Sequence, residues 1–295
     1  MWFRRLFTGL ALLAAMPAAQ GQGYVNQEAV APVLESQGMI NNVQPVTWHR
    51  YNIGRAGKSA KQMLAKLQAH LDSLPGEQIE GRMAIVELSN RVCSKYMMQR
   101  GSLLVPDQFP ADFRAYTPYP MSYSGAAALP KLFIVDKYTQ TFAAYERGRL
   151  VRWGLVCTGR EDDLTPAGRY AFNWKDDYRE STEAPPGEVW KMNWVVNFYE
   201  GIHVHQYQLP IATPSSHGCV RVSESDAVWN FSWADAAKMQ NGKRISGTPI
   251  IVLNHNPVGL AAQWLDVGVS LVNLPDDPMS LPFGPSYRAA SIAKE

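Results

Sequence analysis

Ser216-His217-Gly218-Cys219-Val220-Arg221 sets a thiol beside a glycine, an imidazole and a guanidinium, with a further imidazole, His203, upstream. A thiol attacks as its thiolate, and a neighbouring imidazole lowers the thiol pKa. Gly218 has no side chain to keep backbone N–H groups away from a developing oxyanion. This composition is that of an acyl-transfer site working through Cys219. On an extended backbone His217 and Cys219, two apart, would share a face.

Outward from this motif the pattern is that of strands. Leu132 to Asp136 and Thr141 to Tyr145 flank a short polar turn, and Arg147-Gly148 turns the chain into Leu150 to Cys157, an antiparallel meander. Thr165-Pro166-Ala167-Gly168 makes another turn before Arg169 to Trp174. Trp190, Met192, Trp194 and Val196 alternate within Val189 to Phe198, which predicts that they share one face. Asp176 to Pro186 is polar and proline-bearing, as expected of a surface loop overhanging a cleft. A helix is expected from Ser223 through Trp229, and Pro249 to Leu253 closes with a strand.

Gly201-Ile202-His203 followed by Ser216-His217-Gly218-Cys219-Val220-Arg221 resembles the signature of the L,D-transpeptidase catalytic domain, also called the YkuD domain. The hairpin of Leu132 to Tyr145 with Gln140, the strand Val156-Cys157-Thr158-Gly159-Arg160 and the turn Thr165 to Gly168 fit that family in order, over about Lys131 to Leu253. The resemblance implies a mainly β fold, a curved mixed sheet or β-sandwich, preceded here by a small α-containing accessory domain. It implies Cys219 as nucleophile, His203 as general base, and Gly218 with Cys219 as oxyanion donors. His217 and Ser216 take supporting roles. The family usually follows its first histidine with glycine or serine, whose carbonyl orients the imidazole; Val204 stands there. Arg221 is expected either to bind a substrate carboxylate or to satisfy carbonyls around the motif. Trp194, Phe198 and Tyr199 match aromatic cleft positions. The implied substrates are peptidoglycan stem peptides, with no metal and no organic cofactor.

Met1-Trp2-Phe3-Arg4-Arg5, the apolar run Leu6 to Ala15 and the small residues before Gly21 read as a signal peptide over 1–21, cleaved near Ala19 or Gly21. The run is shorter than the roughly 20 apolar residues of a membrane span, so an exported protein of the periplasm or cell envelope is expected, with no integral membrane segment after leader removal. Residues 22–57 show no sustained period and read as a linker or entry segment. Within an accessory domain at 58–108, Ser59 caps a helix striped by Met63, Leu64, Leu67, Leu71 and Leu74 and stopped by Pro75-Gly76. Ile85 to Asn90 and Gly101 to Pro106 resemble the second half of a LysM peptidoglycan-binding module, although an ordinary helix and strand fit equally. A linker is expected at 109–130, the catalytic domain at 131–254, and at 255–295 a tail that wraps the surface or is disordered.

The 28 Lys and Arg against 26 Asp and Glu leave no basic footprint for nucleic acid, and a monomer is expected. With 3 cysteines, one thiol at least is unpaired; Cys219 is the candidate, while Cys93 and Cys157 could form a disulfide or remain buried thiols. Two other classes compete with the enzyme. His203, His205, His217 and Cys219 could supply zinc ligands, and a wall-binding protein could keep the fold without turnover. Within the enzyme class, water as acceptor gives an L,D-carboxypeptidase, and a protein lysine gives lipoprotein attachment. His49, His70 and His255 are read as surface residues.

Overall fold

The computed structural model describes residues 23–54, 57–77, 81–92, 94–210, 213–253 and 272–285. The leader at 1–21, Cys93 and His255 lie outside them.

The chain opens with helix α1 (Gln27–Glu35), whose N-cap Asn26 accepts the Ala29 N–H at 3.2 Å. Val30, Val33 and Leu34 are its buried face, and strand β1 (Trp48–Asn52) follows. The expected linker at 22–57 is therefore corrected: an i, i+3, i+4 apolar set was present, but Pro32 inside the helix interrupts the pattern. Helix α2 (Ala60–Ser73) begins at the Ser59–Gln62 capping box, buries Leu67 and Leu71, and ends before Pro75. Each of those leucines contributes about 1.5–3 kcal/mol by leaving water. Helix α3 (Arg82–Asn90), the short α4 (Ser94–Met97) and strand β2 (Ser102–Pro106) complete this part. Strands β1 and β2 pair antiparallel, Trp48 opposite Pro106, and the Asn90 amide ties α3 to β2 through two 2.7 Å bonds with the Leu104 backbone.

Residues 109–130 are packed rather than a linker. Phe113, Tyr116 and Tyr119 are buried, and Arg114 pairs with the fully buried Asp112 at 2.7 Å while donating to the Leu150 carbonyl at 3.2 Å. The Pro, Tyr, Ser and Gly content that suggests a connection here serves a folded cover.

Strands β3 (Leu132–Asp136), β4 (Thr141–Glu146) and β5 (Arg149–Leu155) form the expected meander. There follow β6 (Gly168–Ala171), β7 (Trp174–Glu180), β8 (Lys191–Tyr199), β9 (Ile202–Gln206), β10 (Val220–Val222), helix α5 (Glu224–Trp233), the hairpin β11 (Lys238–Gln240) and β12 (Lys243–Ile245), β13 (Pro249–Val252) and β14 (Gly284–Pro285). Six strands run in the order β14-β6-β13-β3-β4-β5 and four in the order β10-β9-β8-β7. Both sheets are mixed, because β13 lies parallel to β3 and β10 parallel to β9.

Alternation along β3 explains the layering. Leu132 and Ile134 face a core shared with α1, α2, α3 and the aromatic cover, whereas Phe133 and Val135 face a second core closed by β8, β9, β10 and α5. Covered on both faces, β3 is buried at every position. The accessory part thus shares one hydrophobic core with the six-stranded sheet. Over 272–285 the chain lies against the six-stranded sheet: β14 pairs with β6, and Arg169 Nε donates to the Leu281 carbonyl at 2.7 Å. No helix among the described residues is long and apolar enough to cross a membrane.

Candidate active site

The ladder of the four-stranded sheet brings the motif and the upstream histidine together. Val220 pairs with Val204 and Arg221 with His205 in parallel register. Carried back one residue, the same register sets Cys219 beside His203. Alternation then puts His203 and His205 on one face of β9, against Cys219 and Arg221 on the neighbouring strand. All four line one cavity of about 330 Å³, together with Ser216 and His217. Its other walls include Trp174, Arg179, Trp190 and Tyr207.

The sulfur stands 3.8 Å from the Gly201 carbonyl. Burial pushes the Cys219 thiol up to about 11, although a backbone hydrogen bond from His203 and the Arg221 charge pull it down. Burial, with Arg179 nearby, takes His203 down to about 4, and burial takes its neighbour His205 to about 3. Burial disfavours the charged form of each group, so at neutral pH the thiol and the imidazole are both neutral. Burial thus works against the ionisation of Cys219 that a neighbouring imidazole favours. Alkylation of Cys219 by iodoacetamide should therefore keep rising with pH toward about 11; a plateau already reached at pH 7 would show a resting ion pair instead.

His203 is oriented by Asn197, its cross-strand partner, whose Nδ2 lies 3.0 Å from Nδ1. The same amide nitrogen donates to the carbonyls of Glu200 and Ile202 at 2.8 and 3.2 Å, and Asn197 Oδ1 accepts from Asn173 at 2.9 Å. With the amide so fixed, Nδ1 is an acceptor, and the neutral ring carries its proton on Nε2. The Val204 side chain is fully buried in the second core, on the other side of β9 from the imidazole.

A backing network joins the motif to the landmarks far upstream. Ser215 and Ser216 donate their N–H groups to the Thr158 carbonyl at 3.0 and 3.1 Å, and Gln140 Nε2 donates to Thr158 Oγ1 at 2.8 Å. Cys157 and Arg221 exchange two 2.9 Å backbone bonds. Thr165 Oγ1 donates to the Gly218 carbonyl at 2.6 Å and accepts the Gly159 N–H at 2.9 Å. A Cβ on Gly159 would lie 1.9 Å from the Asp163 carbonyl oxygen, so only glycine fits at that crossing. Gly218 has φ +104°, and its N–H donates to Ser216 Oγ at 3.2 Å; that hydroxyl donates to the Cys219 carbonyl at 2.5 Å. This bend breaks the extended geometry expected between His217 and Cys219. His217 instead turns its ring toward Trp190, 5.0 Å between centroids. Arg221 lays its guanidinium over Tyr207 at 4.6 Å.

Three expected aromatics do not reach the cavity. Strand β8 bulges against β9 between Asn193 and Val196, with Trp194 at φ +54°. Beyond the bulge the faces exchange: Met192 lines the cavity, Asn197 meets His203, and Trp194, Phe198 and Tyr199 pack with the second core. Trp174, Trp190 and Tyr207 are the cavity aromatics instead. The overhanging loop begins later than expected, after β7 ends at Glu180, and its Ser181, Thr182 and Glu183 line the cavity. Asn197, Trp174 and Arg179 had no signal in the sequence.

The rival zinc arrangement does not form, because among the described residues no three His, Cys, Asp or Glu groups converge as ligands. Cys157 is a free, buried thiol, with Ser215 Oγ and the Thr213 carbonyl each 3.3 Å from its sulfur; Cys93, the other half of the expected disulfide, lies outside the described residues. His49 and His70, read as lone surface residues, are partners: Asp107 holds His49 Nδ1 at 2.7 Å, and the two Nε2 atoms lie 2.9 Å apart.

Residues 130–252 match the family model of the L,D-transpeptidase catalytic domain, YkuD, less than half of the chain but all of the motif and its landmarks. That stretch is therefore similar to L,D-transpeptidase catalytic domains. Among solved structures, the chain is similar to an L,D-transpeptidase from Mycobacterium smegmatis, 23% identical over 42% of this chain and 59% of that one, with a TM-score of 0.35. It is also similar to an L,D-transpeptidase from Stackebrandtia nassauensis, 18% identical over 73% of this chain and 99% of that one, TM-score 0.41. A third, the L,D-transpeptidase of Xylanimonas cellulosilytica, is 22% identical over 72% of this chain and 100% of that one, TM-score 0.40. No curated protein matches.

Proposed function

We propose that the protein is a cysteine-dependent L,D-transpeptidase that joins peptidoglycan stem peptides in the cell envelope. What supports this most is the placement of Cys219 beside His203 on adjacent parallel strands, both open to one cavity. As substrate enters, the Asn197 amide keeps its bonds to the Glu200 and Ile202 carbonyls and releases His203 Nδ1, whose lone pair takes the Cys219 proton while the sulfur bonds to the carbonyl after the L-centre of diaminopimelate. Because both groups rest neutral, this transfer accompanies the attack rather than preceding it. The oxyanion is held by the N–H groups of Gly218 and Cys219, the former turning from Ser216 Oγ to do so. The C–N bond then breaks, His203 returns the proton to the leaving amine of D-alanine, and a thioester remains. A side-chain amine from a neighbouring stem attacks the thioester, the C–S bond breaks and the thiol is restored, leaving a diaminopimelate-to-diaminopimelate cross-link.

Incubation with purified disaccharide tetrapeptide, followed by mass spectrometry, tests the acceptor. A dimer of twice the mass of the disaccharide tetrapeptide less one alanine is expected. Tripeptide alone would assign the protein as an L,D-carboxypeptidase, and unchanged tetrapeptide would overturn both.

A further inference from the structure

Arg179 is a cation of the cavity wall that the reaction above does not use. It reaches in from β7, with its guanidinium 4.9 Å from the centre of the Trp174 ring. That ring in turn lies 5.1 Å from the His203 imidazole. The carboxylate paired with Arg179 is Asp176, at a long 3.5 Å, and the two side chains are 45% and 38% exposed. Such a contact leaves most of a five-donor fork available to a planar, two-oxygen partner, and the indole beneath the guanidinium restrains where that fork can reach. The Arg179 charge is close enough to His203 to help hold its imidazole down.

The position of Arg179 on the histidine side of the cavity decides what it would meet. In the proposed reaction His203 hands its proton to the leaving amine, and that nitrogen is one carbon from the carboxylate of the departing residue. Resting on that reaction, we propose that Arg179 binds the free C-terminal carboxylate of the donor peptide, so that the cleft selects the end of a stem. Glu180 and Glu183 stand on the same rim and disfavour an anion placed elsewhere along it.

The test uses the full chain carrying Cys219→Ala, which cannot turn over, with disaccharide tetrapeptide ending in a free carboxylate or in a carboxamide. Calorimetry should show the acid binding about ten-fold or more tightly than the amide, as expected of a charge-assisted bidentate contact. Adding Arg179→Gln should erase that preference while leaving amide affinity unchanged, and Arg179→Lys should restore part of it. In Arg179→Gln the His203 titration, followed by NMR, should also move up from about 4. Equal binding of acid and amide, no binding of either, or a preference that survives Arg179→Gln would overturn the proposal. Failure of the underlying reaction reads differently: the chain with Cys219 intact would then form no covalent adduct with a carbapenem.

Discussion

Replacing Cys219 by alanine should leave a folded protein that forms no acyl-enzyme and has lost about 10³-fold or more of any turnover of tetrapeptide. The expectation of intact folding comes from the wiring of the motif. Its tight bend is held by the Ser216 hydroxyl, the Thr158 carbonyl and Thr165, all of which bond to backbone groups. The sulfur itself faces the cavity, so losing it removes little packing. Melting temperature should therefore stay within a few degrees, and the carbapenem mass increase seen with the parent protein should vanish. Activity that survives in the variant, or an adduct that forms on another residue, would show that the nucleophile lies elsewhere. Loss of both activity and folded structure would mean instead that Cys219 is a packing residue.

The largest effect on stability is expected at Asp226, which is buried in α5 and paired with Arg152 Nε at 2.7 Å. It also accepts the Ser223 hydroxyl at 2.7 Å, and Gly154 packs so closely that a Cβ there would lie 2.5 Å from the carboxylate. Asp226→Ala strands a guanidinium whose side chain is only 5% exposed. Breaking one partner of such a pair costs about 3–5 kcal/mol, which for a chain of this size lowers Tm by on the order of 10 °C. Replacing both partners by apolar residues of similar volume, Arg152→Met with Asp226→Leu, should recover much of the loss, because no buried charge is then left alone. Thermal unfolding of the three proteins checks this. A single variant as stable as the parent would show that Arg152 finds another partner or reaches water.

The parts legible in the sequence are those fixed by local pattern. Alternation and tight turns gave the meander of β3 to β5, and the capping box with its leucine stripe gave α2. The thiol and the imidazole were readable because their residue types declare their chemistry, and a parallel ladder joins their short strands. What set the imidazole was not readable. Asn197 reaches His203 only because β8 bulges at Trp194, and a bulge by a residue without glycine's freedom leaves no mark on the alternation it reverses. The same reversal carried Trp194 and Phe198 away from the cavity, and a second irregularity between Asn197 and Tyr199 turns Tyr199 to the second core. The resting charge state was also hidden, since it follows from burial of both groups rather than from their proximity. In the N-terminal part, Pro32 and the Pro-Gly-Tyr composition of 109–130 concealed elements whose partners lie far along the chain, such as Gln37, which exchanges two 2.9 Å bonds with the Trp153 backbone.

The central sheet, coated with oil on either side, makes the described residues before β3 an architectural half of the fold rather than cargo it carries. Leu132, Ile134, Ala143, Tyr145 and Trp153 lean on that region. Cutting the gene down to residues 130–252 would bare a greasy plane to solvent and invite clumping.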